Sequence, residues 1–405
     1  MKILFVPIAS PIHDKRAVDL VVRRYRDKIE PYVDEVFDLV TRPQDVPRGF
    51  DAYVVLVVTG GSEHIALEIA NEDKPVLLIA HDRMNSLPAT LEAYSKLREE
   101  NKLVWIASLE DPVYDVKSFV KAVKAWMKLR GARIGVIGGV SHWLVYSRVE
   151  RDSLKKLGIE LVEIPLDKLI ELINSISDEE TSQYVDKIIN NAIDVRVPRE
   201  SVVKAVKVYI ALKKLVEEYN LAGFTIKCFD LILRHNVSAC LALAMLNSEG
   251  IIAGCEGDVP AAITMLISQL LTGYTGFLAN VAWILDDEIQ LAHCTIAFNL
   301  VENYSLDTHF ETNKSVGVEG YVKTKRVSLI KISPKLDRLR VIVGDLITGE
   351  PISRMLCRTQ VVVKTSNSRK ILDDPMGNHY IVVPEDIKNE AKFFAHLARL
   401  KLDTN

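Results

Sequence analysis

Two carboxylates stand either side of a glycine in Gly254-Cys255-Glu256-Gly257-Asp258-Val259-Pro260, where an apolar run, Ile251 to Cys255, gives way to a helical pattern. Pro260 falls in the first turn of that pattern, where a missing N–H is harmless, and Asp258 is placed to cap the helix. Glu256 has no such duty. In an open parallel sheet, ligands gather in the crevice beyond the carboxyl ends of the strands. A carboxylate partly withdrawn from water there needs a proton or a cation to offset its lost hydration. Two histidines farther along are candidate companions: His293 inside the apolar strand LAHCTIAF, and His379 at the start of another strand in MGNHYIVVP. A histidine in such a strand is more often a hydrogen-bonded core residue than a ligand. One glutamate oxygen and two imidazoles would nevertheless suit Mn2+ or a similar divalent ion, with positions left open for substrate oxygens. The residues alone leave both readings open.

Whether residues so far apart in the chain meet depends on the elements that carry them. The first 130 residues alternate short apolar runs (KILFVPIAS, AYVVLVVTGG, KPVLLIAHD, LVWIAS) with amphipathic stretches such as AVDLVVRRYRDKIEPYV. That alternation predicts a parallel sheet wrapped by helices. The pattern restarts at RIGVIGG and continues through ELVEIP, FTIKC and IIAGC, with long helices between. Beyond about residue 278 it changes to β-rich runs and turns, EIQLAHCTIAF, GVEGYV, RVSLIKIS, RLRVIVGDLITG, RTQVVVKT and HYIVVP, ended by a helix, PEDIKNEAKFFAHLARL. Strands without intervening helices suggest a barrel or sandwich. The expected organisation is an α/β chain of two Rossmann-like parallel-sheet domains, 1–130 and 131–278, and a mostly β domain, 279–405. The motif with Glu256 would then lie on the central domain and both histidines on the third.

Composition narrows the partners. The chain has 405 residues, 48% of them apolar, with 51 basic against 54 acidic side chains and a net charge of -3. No surplus of positive charge marks a nucleic-acid or anionic-membrane footprint, and a small ligand fits better. The five cysteines are odd in number and lack CxxC spacing, so they read as buried thiols rather than a disulfide framework or zinc knuckle. MKILFVPIAS reads as a first strand, not a secretory signal, and no run approaches a membrane span; a cytoplasmic protein is expected. Two strands end in paired glycines followed by serine, Gly60-Gly61 and Gly138-Gly139. These make tight turns or leave room for a ligand, but Gly135, Gly138 and Gly139 do not match the spacing of a dinucleotide fingerprint.

Taken together, these segments resemble the L-fucose isomerase/L-arabinose isomerase superfamily, specifically its short fucose-isomerase-like branch. The resemblance rests on TGGSEHIALEIANEDKPVLLIAHDRMNSLPATLEA, RIGVIGGVSHWLVYS, AGCEGDVPAAITMLI, FLANVAWILDDEIQLAHCTIAF, CRTQVVVK and GNHYIVVPEDI, which run through most of the chain. It implies a metal-dependent aldose–ketose isomerase with two Rossmann-like domains and a C-terminal β domain, working as a homo-oligomer, trimer or hexamer, with sites between subunits. Carried over residue by residue, Glu256 matches the glutamate that binds Mn2+ and shuttles a proton, and His293 and His379 match the two histidine ligands. Asn280, in Phe277-Leu278-Ala279-Asn280, stands where the family has a second acidic ligand. An amide can coordinate through oxygen but cannot take a proton at neutral pH. His142 likewise replaces an aspartate of many relatives.

Isomerisation through an enediol needs a base that takes a proton from C2 and returns it at C1, and an electrophile for the developing oxyanion. Glu256 is the expected base. With Asn280 in the second position, Asp258 or a metal-bound water would have to serve as its complement, or the activity would be weakened, altered or lost. Substrate hydroxyls could be met by His13, Asp14, Ser141, Trp143, His309 and Arg358, with Trp143 stacking on the apolar face of a sugar; packing and capping roles are open for each. The rival reading is a carbohydrate-binding or regulatory protein on the same scaffold that has lost turnover. A nucleotide-dependent enzyme using the glycine turns is a third.

Overall fold

The apolar runs at the start of the chain form a parallel sheet covered on both faces. The computed structural model describes residues 1–404 and divides into two units, Met1–Met127 with Lys392–Ala398, and Lys128–Ala391 with Arg399–Asn405. In the first, five parallel strands lie in the order Glu35–Val36, Ile3–Ile8, Ala52–Val57, Val76–Ile79, Val104–Ile106. Every residue of Ile3–Ile8 and Ala52–Val57 is buried, which is why these strands read as continuous apolar runs rather than alternating ones. Trp105, Phe119 and Phe393 meet edge to face with ring centroids 5.6 to 5.7 Å apart. The segment Lys392–Ala398, drawn from the C-terminal helix Lys388–Leu397, thus belongs to this unit.

The second unit holds a four-stranded parallel sheet in the order Ile252–Gly254, Gly223–Ile226, Arg133–Ile137, Glu160–Ile164. It also holds a closed antiparallel barrel. Six strands, Arg326–Ile332, His379–Val383, Phe277–Leu285, Glu288–His293, Thr359–Lys364 and Arg338–Thr348, pair in that order, and the last pairs back onto the first. The strand Lys401–Thr404, which the sequence pattern had not signalled, adds in parallel to Arg338–Thr348. Gly317–Tyr321 does not join the barrel; it pairs with Asn303–Asp307 in a small separate sheet with Asp194–Val195. The α/β class and the β-barrel expected from the sequence are both present. No helix among the described residues is long and apolar enough to cross a membrane.

One hydrophobic core joins the parallel sheet and the barrel. It runs from Ile137 and Phe224 on the sheet, through Tyr209 and Leu212 of helix Arg199–Glu218, to Leu291, Leu329 and Tyr380 inside the barrel. The helix Val259–Thr272 is buried along most of its length. The hydroxyl of its Thr264 accepts from the N–H of Ile332, 3.1 Å away, at the end of a barrel strand. The element capped by Asp258 is therefore fixed directly against the barrel.

Candidate functional site

The strand Ile252–Gly254 ends in a turn whose backbone is unusual at consecutive residues. Glu256 has φ +61° and Gly257 φ +72°, so the glutamate sits in the left-handed region that ordinary side chains avoid. The surroundings hold it there. The carbonyl of Cys255 accepts from the Thr225 hydroxyl at 3.1 Å, the carbonyl of Glu256 from the N–H of Ser141 at 3.2 Å, and the N–H of Gly257 donates to the carbonyl of Ile226 at 3.0 Å. A Cβ on Gly257 would lie 2.4 Å from the carbonyl oxygen of Gly139 and 2.8 Å from the Cα of Val140. Glycine separates the two carboxylates because another backbone passes there: the Gly138-Gly139 turn packs against this one.

Asp258 begins helix Val259–Thr272, its Oδ1 accepting from the N–H of Ala261 at 2.9 Å. Its Oδ2 accepts from the Ser147 hydroxyl at 3.0 Å and lies 2.8 Å from Nδ1 of His379. His379 is the first residue of its barrel strand and His293 the last of another; the strand Phe277–Leu285 runs between them, and Asn280 is in register with His379. The imidazoles converge with ring centroids 6.0 Å apart. Nε2 of His379 lies 3.5 Å and Nε2 of His293 3.8 Å from Oε1 of Glu256. Ligand atoms of the three residues all fall within 4.8 Å of one another, and all three side chains are buried.

This donor set fits a divalent cation. A proton on Nδ1 of His379, directed at Asp258, leaves Nε2 as a lone pair facing Glu256, the carboxylate–histidine pairing that orients metal ligands. Nδ1 of His293 is buried without a hydrogen-bond partner among the described residues. The charges are strongly coupled. Burial opposes ionisation of Glu256, but the two facing imidazoles outweigh it and hold the carboxyl far below its usual range. Asp258 is likewise lowered, its burial overcome chiefly by His379. Burial alone would favour a neutral His379, yet Asp258 and Glu256 push it up to about 9. The negative pair thus attracts a proton in the place where a cation would sit.

Around this centre the structure distributes the other candidates unevenly. The indole N–H of Trp143 donates to Oε2 of Glu256 at 2.9 Å, and the ring packs edge-on against Phe229, 5.1 Å between centroids. Ser141 is buried, with its hydroxyl unpartnered among the described residues. Asn280 accepts at Oδ1 from the amide of Asn378 at 2.7 Å, and that same nitrogen is 3.5 Å from Nε2 of His379. Arg358 directs its guanidinium to the carbonyl and hydroxyl of Thr308, at 2.8 and 3.0 Å. His309 bonds through Nδ1 to Thr312 at 3.1 Å, its Nε2 lies 3.2 Å from Glu311, and burial lowers it to about 4. His13 and Asp14 lie in the first unit, where Asp14 caps helix Lys15–Ile29 through the N–H of Ala17.

Three supporting residues carried no signal in the sequence. Ser147 orients Asp258; Asn378 bridges Asn280 and His379; and Lys331, 2% exposed, donates to the carbonyl of His379 at 2.6 Å. None has a motif spacing to Glu256: barrel pairing brings in Lys331 and Asn378, and the loop between Arg133–Ile137 and Arg151–Leu157 brings in Ser147. All five cysteines are free thiols, four of them buried, with the sulfurs of Cys228 and Cys255 2.9 Å apart beneath the turn.

No family model matches the chain. It is similar to the sulfoquinovose isomerase of Clostridium sp. (strain MSTE9), 23% identical over 354 residues that cover 82% of this chain and 78% of the relative. It is similar also to the sulfoquinovose isomerase of Alkalicoccus urumqiensis, 20% identical over 299 residues, 70% and 67% of the two chains. A third, from Priestia aryabhattai, is 22% identical over 237 residues, and the match spans about half of that relative's length, 52%. Each of these relatives is a sugar isomerase, the reaction class expected from the residues of this chain.

Proposed function

We propose that this chain is a divalent-metal-dependent aldose–ketose isomerase of a sulfonated sugar, with Mn2+ or a similar ion held by Glu256, His293 and His379 and with Glu256 as the base. The observation that carries the proposal is the convergence of those three donors within 4.8 Å, with His379 oriented by Asp258. The similarity to sulfoquinovose isomerases supports the choice of substrate. The resemblance to the fucose and arabinose isomerases supports the ligand roles and a homo-oligomeric working form.

When bound, the ion supplies an electrophile that stabilises negative charge on the oxygens at C1 and C2. The protein's own groups do the rest. Glu256 takes the proton from C2 and returns it at C1. Its carboxylate is held by Trp143 on one oxygen and faces the imidazoles with the other, so it cannot rotate away from the carbon it serves. Trp143, 40% exposed, offers its face to the apolar side of a sugar, and the Ser141 hydroxyl is a ready partner for a substrate hydroxyl.

The test is to load the protein with Mn2+ and incubate it with sulfoquinovose in deuterated water. Formation of the ketose and solvent deuterium on carbon, both lost on chelation, restored by Mn2+ and absent in Glu256→Gln, are the expected results. One observation favours a second reading. Asn280 stands where a proton-bearing carboxylate would be useful, and a protein that binds Mn2+ and sugar yet exchanges no carbon-bound proton with any of a panel of pentoses, hexoses and sulfoquinovose would be a sugar-binding protein on an isomerase scaffold.

A further inference from the structure

Aldose–ketose isomerisation moves two protons: one from C2 to C1, and one between the hydroxyl oxygens. Glu256 serves the carbon. Asp258 is fully buried, and Ala261, Ser147 and His379 already occupy its oxygens, while Asn280 carries no proton to give. Another carboxylate stands beside the centre. The segment after the strand Asn303–Asp307 folds into a tight loop in which the N–H of His309 donates to the carbonyl of Lys314 and that of Asn313 to the carbonyl of His309, at 3.0 and 2.8 Å. Arg358 clamps the loop at Thr308. The N–H of Phe310 lies 3.5 Å from the sulfur of Cys294, the residue after His293. The His309 ring packs on Phe229, 5.5 Å between centroids, and Phe229 packs on the Trp143 that holds Glu256. One wall therefore runs from Glu256 through Trp143, Phe229 and His309 to Glu311.

With Nδ1 of His309 bonded to Thr312 and Nε2 3.2 Å from Glu311, this ring faces its own loop and is placed to orient Glu311. Nε2 of His309 lies 3.2 Å from one oxygen of Glu311, whose side chain is 47% exposed, so the carboxyl group has a neighbour within the loop and stays open to a bound molecule. We infer that Glu311, positioned by His309, is the second acid–base residue of the site and replaces the carboxylate that Asn280 lacks. This rests on the isomerase reading above. In the aldose-to-ketose direction Glu256 takes the C2 proton and the C1=C2 bond forms with negative charge left on O1; in a separate, later step O1 receives a proton from the Glu311 carboxyl. The O2 hydroxyl then returns a proton to the Glu311 carboxylate as C2=O2 forms, and C1 takes the proton held by Glu256. Both carboxyl groups end as they began. Burial, with Glu256 nearby, raises the Glu311 carboxyl from its usual range, the direction that suits an acid working near neutrality.

The experiment compares wild type, Glu311→Gln, His309→Gln and Glu256→Gln, all loaded with Mn2+, with sulfoquinovose in deuterated water, reading deuterium at C2 of recovered aldose separately from ketose formed. Glu311→Gln is expected to keep C2 exchange within about twofold while ketose formation falls on the order of 100-fold, the usual scale of an acid–base residue, with KM unchanged. His309→Gln should shift the same ratio in the same direction by less. Conversion at the wild-type rate in Glu311→Gln, with Glu256→Gln inactive, would overturn the inference and leave the isomerase reading intact. Equal loss of exchange and conversion would assign Glu311 to binding or folding and overturn it also. A wild type that neither exchanges nor converts would remove the isomerase reading and this inference with it.

Discussion

His379 shows one nitrogen to Asp258 at 2.8 Å and the other to Glu256 at 3.5 Å. A single ring thus couples the cap of a sheet-domain helix to the first residue of a barrel strand, and the two carboxylates of one tripeptide act on opposite sides of it. Asp258→Asn separates these functions. Asparagine caps a helix about as well as aspartate, so the fold should survive. Its amide, however, can donate to Nδ1 and move the ring proton to Nε2, the nitrogen needed for a metal. Mn2+ affinity should fall about 10- to 100-fold, measured by calorimetric titration, while the thermal midpoint moves little. An unchanged affinity would show that Asp258 is a cap and nothing more.

Proton and cation should compete. In the metal-free protein His379 is raised to about 9, above the ordinary value of about 6.5. The group is raised in the folded state, so its contribution to stability is complete below about pH 6.5 and disappears as pH climbs through about 9. Metal-free protein should lose on the order of 3 kcal/mol between those limits, seen as a falling denaturation midpoint. Mn2+ binding near neutrality should release close to one proton and weaken about tenfold per unit drop in pH. Titrations in buffers of different ionisation enthalpy check this; zero proton release contradicts it.

Gly257→Ala tests the packing of the two glycine turns. The new Cβ would meet the Gly139 carbonyl oxygen at 2.4 Å with φ at +72°. A backbone atom cannot step aside like a side chain, so the loss should exceed about 2 kcal/mol, read from urea unfolding. Gly139→Ala, whose own Cβ meets nothing within 4 Å, should cost only the positive-φ penalty, about 1 kcal/mol.

Lys331→Met removes a buried amine that donates to the His379 carbonyl. Methionine fills much of the same space but leaves that carbonyl unmet, a loss of about 1–3 kcal/mol. Because the amine holds the turn that carries His379, Mn2+ affinity should fall as well. Loss of stability with metal affinity intact would show that the turn keeps its place unaided.

Much of this arrangement could be read from residue order, and the reason lies in where each signal resides. Continuous apolar runs such as Ala52–Val57 announce buried parallel strands, and the change to β-rich texture after residue 278 announces the barrel. Glu256 stood out because a carboxylate at a strand mouth has no local partner, whereas Asp258 had one. What could not be read was pairing across the barrel. Lys331, Asn378 and Ser147 reach the centre by sheet closure and a loop excursion, contacts with no period in the chain. Glu311 escaped notice for a related reason: next to His309, it looks like any surface glutamate until the Trp143–Phe229 contact carries its loop to the site. Arg358 is legible in the sequence as a candidate donor to substrate hydroxyls, whereas its Nε and one terminal nitrogen meet Thr308, a pairing with no signal in the chain.

The left-handed backbone at Glu256 sets activity against durability. Two variants that both lack the carboxylate, Glu256→Ala and Glu256→Gly, differ only in whether a Cβ must endure φ near +61°. The glycine variant should be the sturdier by roughly 1 kcal/mol, measured as a difference in denaturation midpoint. A chain freed from its chemistry would drift toward glycine at this position. An acidic residue in so awkward a conformation burdens the fold, and the proposed chemistry of the carboxylate is what would offset that burden.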